Sequence, residues 1–523
     1  MKKIFFYILL IGISFQLSAQ DYFMTGHYLF LNEKNVYYQD INTVIKPSLG
    51  AESKIIDSLI FQYPKKNDKN LFLRKLYYEH LFQLQKNNFS VFIDPVLDFR
   101  MNYDKDRDKI SYLNTRGFNM AGNLMSKVFF NTSFYENQGK FPNHIDRFYD
   151  KIKTLPGYAR IKITEKGIYD FAQVFGSIAF KPLEQFNFSL GYDRFFIGDG
   201  YRSLLLSDFA APYPYAKFNL KLGRFDYTTL LTKTYLPFAA EENTKYPSNL
   251  LSYSILTYTT KNQKFKIALI DALSVNNDKE NYGFFAGNYF LPYIRYFALN
   301  KRDSLIARQF GINFLYRNRK IGVFYGQLVD NSEYISVENK KHVQGGISAQ
   351  VGYKSFDFCT LKNLYFQLEY NYSTQWNNET FMFSNHSQSL THPLNCNFHE
   401  IVGILSYTYK RLQILSKGNF IYTPSYSHIS FDVETPYWAY FQDYTKLIYA
   451  FNFDCNNNQS GFVNYETLWY ADFQLIFTVN PAYNLQVFAG ANIRQAENYR
   501  YFNLNYFFNF GLRTAIRANY YDY

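Results

Sequence analysis

Residues 508–523 read FNFGLRTAIRANYYDY, from Phe508 to Tyr523. Alternate positions carry Phe508, Phe510, Leu512, Thr514, Ile516, Ala518 and Tyr520. The positions between them carry Asn509, Gly511, Arg513, Ala515, Arg517 and Asn519, then Tyr521 and Tyr523. Side chains of a strand alternate between its two faces, so one face here is apolar and the other is polar, small or cationic. A half-buried strand of a water-soluble sheet has the same pattern. Two further features point to an outer-membrane barrel: the strand ends the sequence on an aromatic residue, Tyr523, and an export signal stands at the other end.

The same period recurs along the chain. Leu364, Phe366, Leu368, Tyr370, Tyr372, Thr374 and Trp376 share one face, opposite Tyr365, Gln367, Glu369, Asn371, Ser373 and Gln375. Phe186, Phe188, Leu190 and Tyr192 alternate with Asn187, Ser189, Gly191 and Asp193, and residues 484–494 repeat the pattern with Phe488 as the apolar exception. Residues 118–134 read as one long alternating strand. These runs suit a tilted membrane strand of about 9–11 residues. Glu369 must then face the lumen, because a charge facing acyl chains is costly.

Connections alternate in length as well. Short ones fall near 181–184, 224–226, 261–263, 317–320, 410–411 and 480–482; longer ones at 198–214, 236–249, 276–303, 331–340, 377–397 and 424–461. That matches periplasmic turns and extracellular loops. Seventeen strands can be marked this way, and an even number is expected. The fold class is therefore all-β: a transmembrane antiparallel β-barrel of about 18 strands. Tyr158–Ile163, or residues before Phe89, would supply the missing strand.

Residues 1–19 read as a signal peptide, with Lys2 and Lys3 before the apolar run Ile4–Ile13 and Leu17-Ser18-Ala19 before the cut. Residues 20–88 form a small N-terminal helical segment on the periplasmic side that plugs or braces the barrel of residues 89–523. Within it Leu73, Leu76, Tyr77, His80, Leu81 and Leu84 fall on one helical face, capped by Asp68 or Asn70, and Ala51–Ile60 reads as a shorter helix.

Composition agrees with a barrel. Tyr (51) and Phe (55) are abundant against 3 Trp, and mean hydropathy is -0.30, too low for a helical membrane protein. The net charge of +12 becomes +10 without Lys2 and Lys3, and its positive residues are dispersed. That is no nucleic-acid footprint. In a barrel such residues meet the lumen, anionic lipopolysaccharide or acidic glycans. Cys359, Cys396 and Cys455 form no disulfide framework.

One loop has its own pattern. Residues 198–214 read GDGYRSLLLSDFAAPYP, or G-x-G-x-x-S-L-x-L-S-x-x-A-x-P-x-P. Through Gly198, Gly200, Ser203, Leu204, Leu206, Ser207, Ala210, Pro212 and Pro214 this segment resembles the Wzi-type capsule assembly proteins of Gram-negative outer membranes. It departs from them at Ile197, where a tryptophan is expected. The resemblance implies an 18-stranded barrel closed at its periplasmic end by helices, with outer loops that bind surface polysaccharide and help attach capsule. Asn114-Thr115-Arg116-Gly117 and Glu136-Asn137-Gln138 more weakly resemble barrel proteins of gliding motility and surface secretion.

For glycan binding the candidates are Asp199, Tyr201, Arg202, Ser207 and Asp208 on that loop, and Tyr437, Trp438 and Tyr440 on the 424–461 loop. Rings stack on sugar faces, and an arginine meets a carboxylate of an acidic glycan. Tyr213, Tyr215 and Tyr422 fit an interfacial girdle equally well. His386, His392, Cys396 and His399 offer metal-ligand chemistry at a spacing that matches no structural zinc pattern. Ser203 and Ser207 have no histidine close in sequence, so no hydrolytic site is read and no cofactor is expected. The expected function is non-enzymatic binding, anchoring and assembly of surface polysaccharide. The alternatives are a component of a motility or secretion machine, with partners in that machine, or an anion channel lined by Arg513, Arg517, Arg494 and Lys266.

Overall fold

The computed structural model describes Lys34, Tyr37 and residues 44–47, 70–86, 88–105, 109–235, 248–276, 305–337, 340–374, 380–395, 397–424, 467–498, 501–514 and 521–522. Eighteen antiparallel strands close into a barrel. They are β1 Phe89–Asp104, β2 Lys109–Leu124, β3 Val128–Lys140, β4 Tyr169–Leu183, β5 Phe186–Asp193 and β6 Tyr213–Leu222. The wall continues with β7 Phe225–Tyr235, β8 Ser248–Thr259, β9 Phe265–Asn276, β10 Leu305–Asn318, β11 Gly322–Val337 and β12 Lys340–Ser355. It is completed by β13 Leu364–Ser373, β14 Phe398–Tyr409, β15 Leu412–Tyr422, β16 Thr467–Asn480, β17 Leu485–Asn498 and β18 Tyr501–Arg513. Each strand pairs with its sequence neighbours, and β18 closes on β1 from Phe507↔Asp104 to Arg513↔Asp98.

Alternation decides which side chains meet lipid. On β13, Tyr365, Gln367, Glu369, Asn371 and Ser373 are buried, whereas Leu368 and Tyr370 are exposed. Outward aromatic side chains meet across strands near the short turns: Phe188 and Phe218 at 4.6 Å, Phe225 and Tyr258 at 5.1 Å, Phe324 and Tyr353 at 4.9 Å. Part of the Phe and Tyr surplus is thus used on the outer face, while others, such as Tyr253, Tyr325 and Tyr365, are buried inside the barrel.

The structure corrects several sequence expectations. Residues 118–134 are two strands, β2 and β3, joined by a turn in which Met125 and Ser126 have positive φ. Leu124 pairs with Val128, so a three-residue turn preserves the even/odd parity and the alternation runs through it unbroken. This split supplies an extra strand; neither expected source does. Residues 162–163 form only a two-residue strand on β4, and 82–86 pair with the start of β1 beside the eighteen. The long connection expected at 331–340 is strand up to Val337 and again from Lys340. The alternating strand that begins at Phe186 leaves the wall at Asp193, and Phe196–Ile197 turns inward to pair with Ile45–Lys46. The strand expected over 508–523 stops at Arg513, and Tyr521 and Asp522 lie inside the barrel.

The N-terminal helix is also shorter than the spacing predicts. Helix α1, Leu71–Tyr77, starts at Asn70, whose side chain accepts from the Phe72 amide at 2.9 Å. It ends before His80, and Leu84 belongs to the 82–86 strand instead. Ala51–Ile60 lies outside the described residues. Asn480, the last residue of β16, donates to the Lys75 and Glu79 carbonyls, and Arg411 of the β14–β15 turn donates to that of Tyr77. α1 therefore sits at the end of the barrel with the short turns. A second helix, α2 Asn143–Ile152, lies in the connection between β3 and β4. The Asn114–Gly117 and Glu136–Gln138 motifs are cross-strand partners of β2 and β3, with Thr115 donating to Asn137 at 2.7 Å.

Candidate functional site

Register brings five inward polar residues to one level of the wall. Asn313 lies opposite Gln327, Gln327 opposite Gln350, Gln350 opposite Asn371, and Asn371 opposite Glu400, across β10 to β14. They are joined side by side: Gln327 donates to Asn313 at 3.3 Å, Gln350 to Asn371 at 2.8 Å and Asn371 to Glu400 at 3.0 Å. In the lumen these groups have polar capacity left over, and the loop between β5 and β6 uses it.

Residues 194–212 enter the barrel and lie on this ladder. Gln327 accepts from the Leu204 amide at 2.9 Å and donates to the Ile197 carbonyl at 2.8 Å. Gln350 donates to the Arg202 carbonyl at 2.9 Å, and Asn313 to the Asp199 carboxylate at 3.4 Å. Glu369, two residues along β13 from Asn371, accepts from the amides of Tyr201 at 2.7 Å and Arg202 at 3.0 Å. Tyr325 and Asn371 complete its shell at 2.8 and 2.9 Å.

These contacts explain both glycines of the loop motif. Gly198 has φ +125°, and a Cβ there would stand 2.2 Å from Gln327 Nε2. A Cβ at Gly200 would stand 2.5 Å from Glu369 Oε2. Only glycine lets the backbone come this close. Ser203 is a folding residue: its hydroxyl donates to the Ile197 carbonyl and accepts from the Leu205 and Leu206 amides.

The other side of the loop is apolar. Leu204, Leu205, Leu206 and Phe209 are buried in one cluster with inward residues of β7 to β9 such as Leu230, Tyr253 and Ile270. Gly311 on β10 leaves room for Leu205, whose Cδ2 lies 2.4 Å from where a Cβ would be. Burying the four side chains contributes roughly 6–12 kcal/mol as an upper estimate, before the entropy of ordering the loop is subtracted.

Arg202 is the charged centre. Its guanidinium donates to Glu400 from Nε at 3.2 Å and from Nη2 at 3.1 Å, and to Asp522 at 3.0 Å. Asp522 also accepts from Tyr201 at 2.6 Å, Lys417 at 2.9 Å and Asn419 at 3.2 Å. Two cations, Arg202 and Lys417, thus meet the carboxylates of Glu400 and Asp522, while Glu369 receives the backbone amides of the loop. Burial opposes ionisation of Asp522, but Arg202 and then Lys417 outweigh it and hold its carboxyl well below the usual range. His392 approaches Glu400 through Nε2 at 2.7 Å, while its Nδ1 accepts from the Leu394 amide at 3.2 Å. Burial outweighs the pull of Glu400 and lowers the His392 pKa, so the imidazole is neutral and donates from Nε2.

Asp199, Tyr201, Arg202, Ser207 and Asp208 are all buried inside the barrel, with Arg202 at 1% exposure. Asp199, Tyr201 and Arg202 turn toward the protein's own groups at this level, and Ser207 accepts from the Phe209 amide. Tyr437, Trp438 and Tyr440 lie outside the described residues. Glu369, Glu400, Lys417 and Asp522 are missing from the sequence-based candidates. For Glu369, Glu400 and Lys417 the signal is an inward charge on a membrane strand, drawn from the sequence for Glu369 alone; Asp522, beyond the end of β18, carries no such signal. The histidines do not converge: His386 stacks on Tyr235, His392 binds Glu400, and His399 bonds outward to Tyr370 at 2.8 Å. Cys396 lies outside the described residues, and among those described no group of His, Cys, Asp or Glu is placed to hold a metal.

Of the cations expected to line a channel, Arg513 is buried. It donates to Gln486 at 3.2 Å and Gln474 at 3.1 Å and covers the Phe488 ring at 4.2 Å. Arg494 and Lys266 are buried too, and Arg517 lies outside the described residues.

A closed 18-strand barrel with a lipid-facing apolar band and short turns at one end defines an outer-membrane β-barrel protein. Among solved structures the chain is similar to Wzi, an outer-membrane protein involved in group 1 capsule assembly in Escherichia coli and a carbohydrate-binding β-barrel. That likeness has a TM-score of 0.53 and 9% identity over 95% of this chain and 100% of the other. At that identity it establishes a shared barrel architecture. OccK2 of Pseudomonas aeruginosa, solved with glucuronate, aligns at a TM-score of 0.41 and 6% identity over 82% of this chain and 98% of the other. OccAB2 of Acinetobacter baumannii aligns at 0.42 and 12% over 82% and 99%. No family model and no curated protein matches the sequence.

Proposed function

We propose that this barrel binds surface polysaccharide through its long extracellular connections and assists its assembly at the cell surface without catalysis. The observation that carries the reading is the seating of residues 194–212 on the β10–β14 ladder. A loop that fills the lumen at this level, with its charges paired internally, leaves the outer connections as the surface available to a large partner. The same filling, and the burial of Arg513, Arg494 and Lys266, count against an anion channel. The N-terminal segment serves as a brace: Tyr37 receives Arg317 on its carbonyl and Lys354 on its hydroxyl, inside the barrel. A carbohydrate-binding barrel of similar architecture supports the proposal.

The test is binding of detergent-purified protein to polysaccharide extracted from the producing cells. Saturable binding is expected, weakened at least tenfold when Tyr437, Trp438 and Tyr440 are all replaced by alanine, since each ring contributes about 0.5–1.5 kcal/mol. Absence of binding, with outer-membrane proteins co-purifying instead, would overturn the proposal in favour of a machine component.

A further inference from the structure

Asp522 lies inside the barrel, beyond the end of β18 at Arg513 and outside the hydrogen-bonded wall. The pocket supplies a carboxylate with everything such a group needs. Arg202 and Lys417 provide charge, Tyr201 a hydroxyl donor and Asn419 an amide donor, all within 3.2 Å of its two oxygens. Arg202 and Asn419 are almost fully buried, and both also touch Glu400. The pocket therefore stays anchored whether or not residue 522 is present. Lys417 covers the Tyr201 ring at 5.3 Å and the Tyr470 ring at 5.3 Å, which fixes its ammonium beside the carboxylate position.

We propose that Tyr201, Arg202, Lys417 and Asn419 form a carboxylate-binding site in the lumen, and that Asp522 is its built-in occupant. The ligand class is a small organic carboxylate, uronate sugars included, and such a ligand and Asp522 exclude one another. The low pKa of the Asp522 carboxyl supports this, because the pocket favours the anion over the acid. The site differs from the extracellular surface proposed for polysaccharide, and it stands if that surface binds nothing. A tethered group has an effective concentration in the millimolar range, so a free carboxylate competes poorly with it in the native chain.

The experiment measures thermal unfolding of the full chain in detergent against sodium acetate and sodium D-glucuronate, with sodium chloride holding ionic strength constant. Asp522→Ala is expected to unfold at lower temperature. Both carboxylates should restore it saturably, with half-saturation at least tenfold lower than in the unsubstituted protein. Adding Lys417→Gln to Asp522→Ala should abolish the response. If Asp522→Ala does not fold, Asp522→Asn keeps the side-chain volume, and the same comparison decides the matter. Equal effects of carboxylates and chloride, or a carboxylate response that survives Lys417→Gln, would overturn the proposal.

Discussion

Replacing Arg202 with alanine will destabilise the barrel by about 3–5 kcal/mol, the usual cost of removing one partner from a buried ion pair. Glu400 and Asp522, both at most 1% exposed, lose their shared guanidinium in one step. Lys417 still holds Asp522, and His392 and Asn371 still hold Glu400, but the buried negative charge is then under-compensated. Urea unfolding from lipid vesicles reads the loss as a lower midpoint with an unchanged slope. Arg202→Lys should fall between the two, because an ammonium keeps the charge but lacks the planar fork that spans both carboxylates. A midpoint for Arg202→Ala within about 0.5 kcal/mol of the parent would mean that the cluster does not hold the loop, since a change that small is typical of sites without such features.

Replacing Glu369 with alanine should release the loop without breaking the wall. Its carboxylate accepts the Tyr201 and Arg202 amides, and hydrogen bonds to a charged group contribute about 1.5–3 kcal/mol each. Loss of about 3 kcal/mol of local stability corresponds to roughly hundredfold faster opening. Hydrogen exchange of a peptide covering residues 198–206 should accelerate by that factor, while peptides from β14 and β15 change little. Uniform acceleration over the whole barrel would show that Glu369 acts on global stability rather than on the loop.

The wall of the barrel was legible in the sequence, and its contents largely were not. Period-two runs such as 364–376 gave both the strand and its inward face, because lipid on one side makes the alternation strict. The turn at 125–127 escaped because it keeps parity and contains neither glycine nor proline. The end of β18 escaped because residues 514–520 continue to alternate after the strand has stopped. The ladder needs register. Asn313, Gln327, Gln350, Asn371 and Glu400 are scattered over 88 positions, and only strand pairing aligns them. The 198–214 loop stands out in the sequence, but its composition suits burial in a protein interior as well as exposure to a sugar. Three consecutive leucines, Leu204 to Leu206, were the clue to an inward path, since an exposed loop has little use for them.

Single-channel conductance of the purified protein in planar bilayers, beside a variant with residues 198–209 replaced by a short glycine-serine linker, tests the central claim directly. The account predicts little or no ion flow through the native barrel and frequent large openings once the loop is gone. Native conductance equal to that of the loop-less variant would contradict it, and would return the protein to the class of open channels.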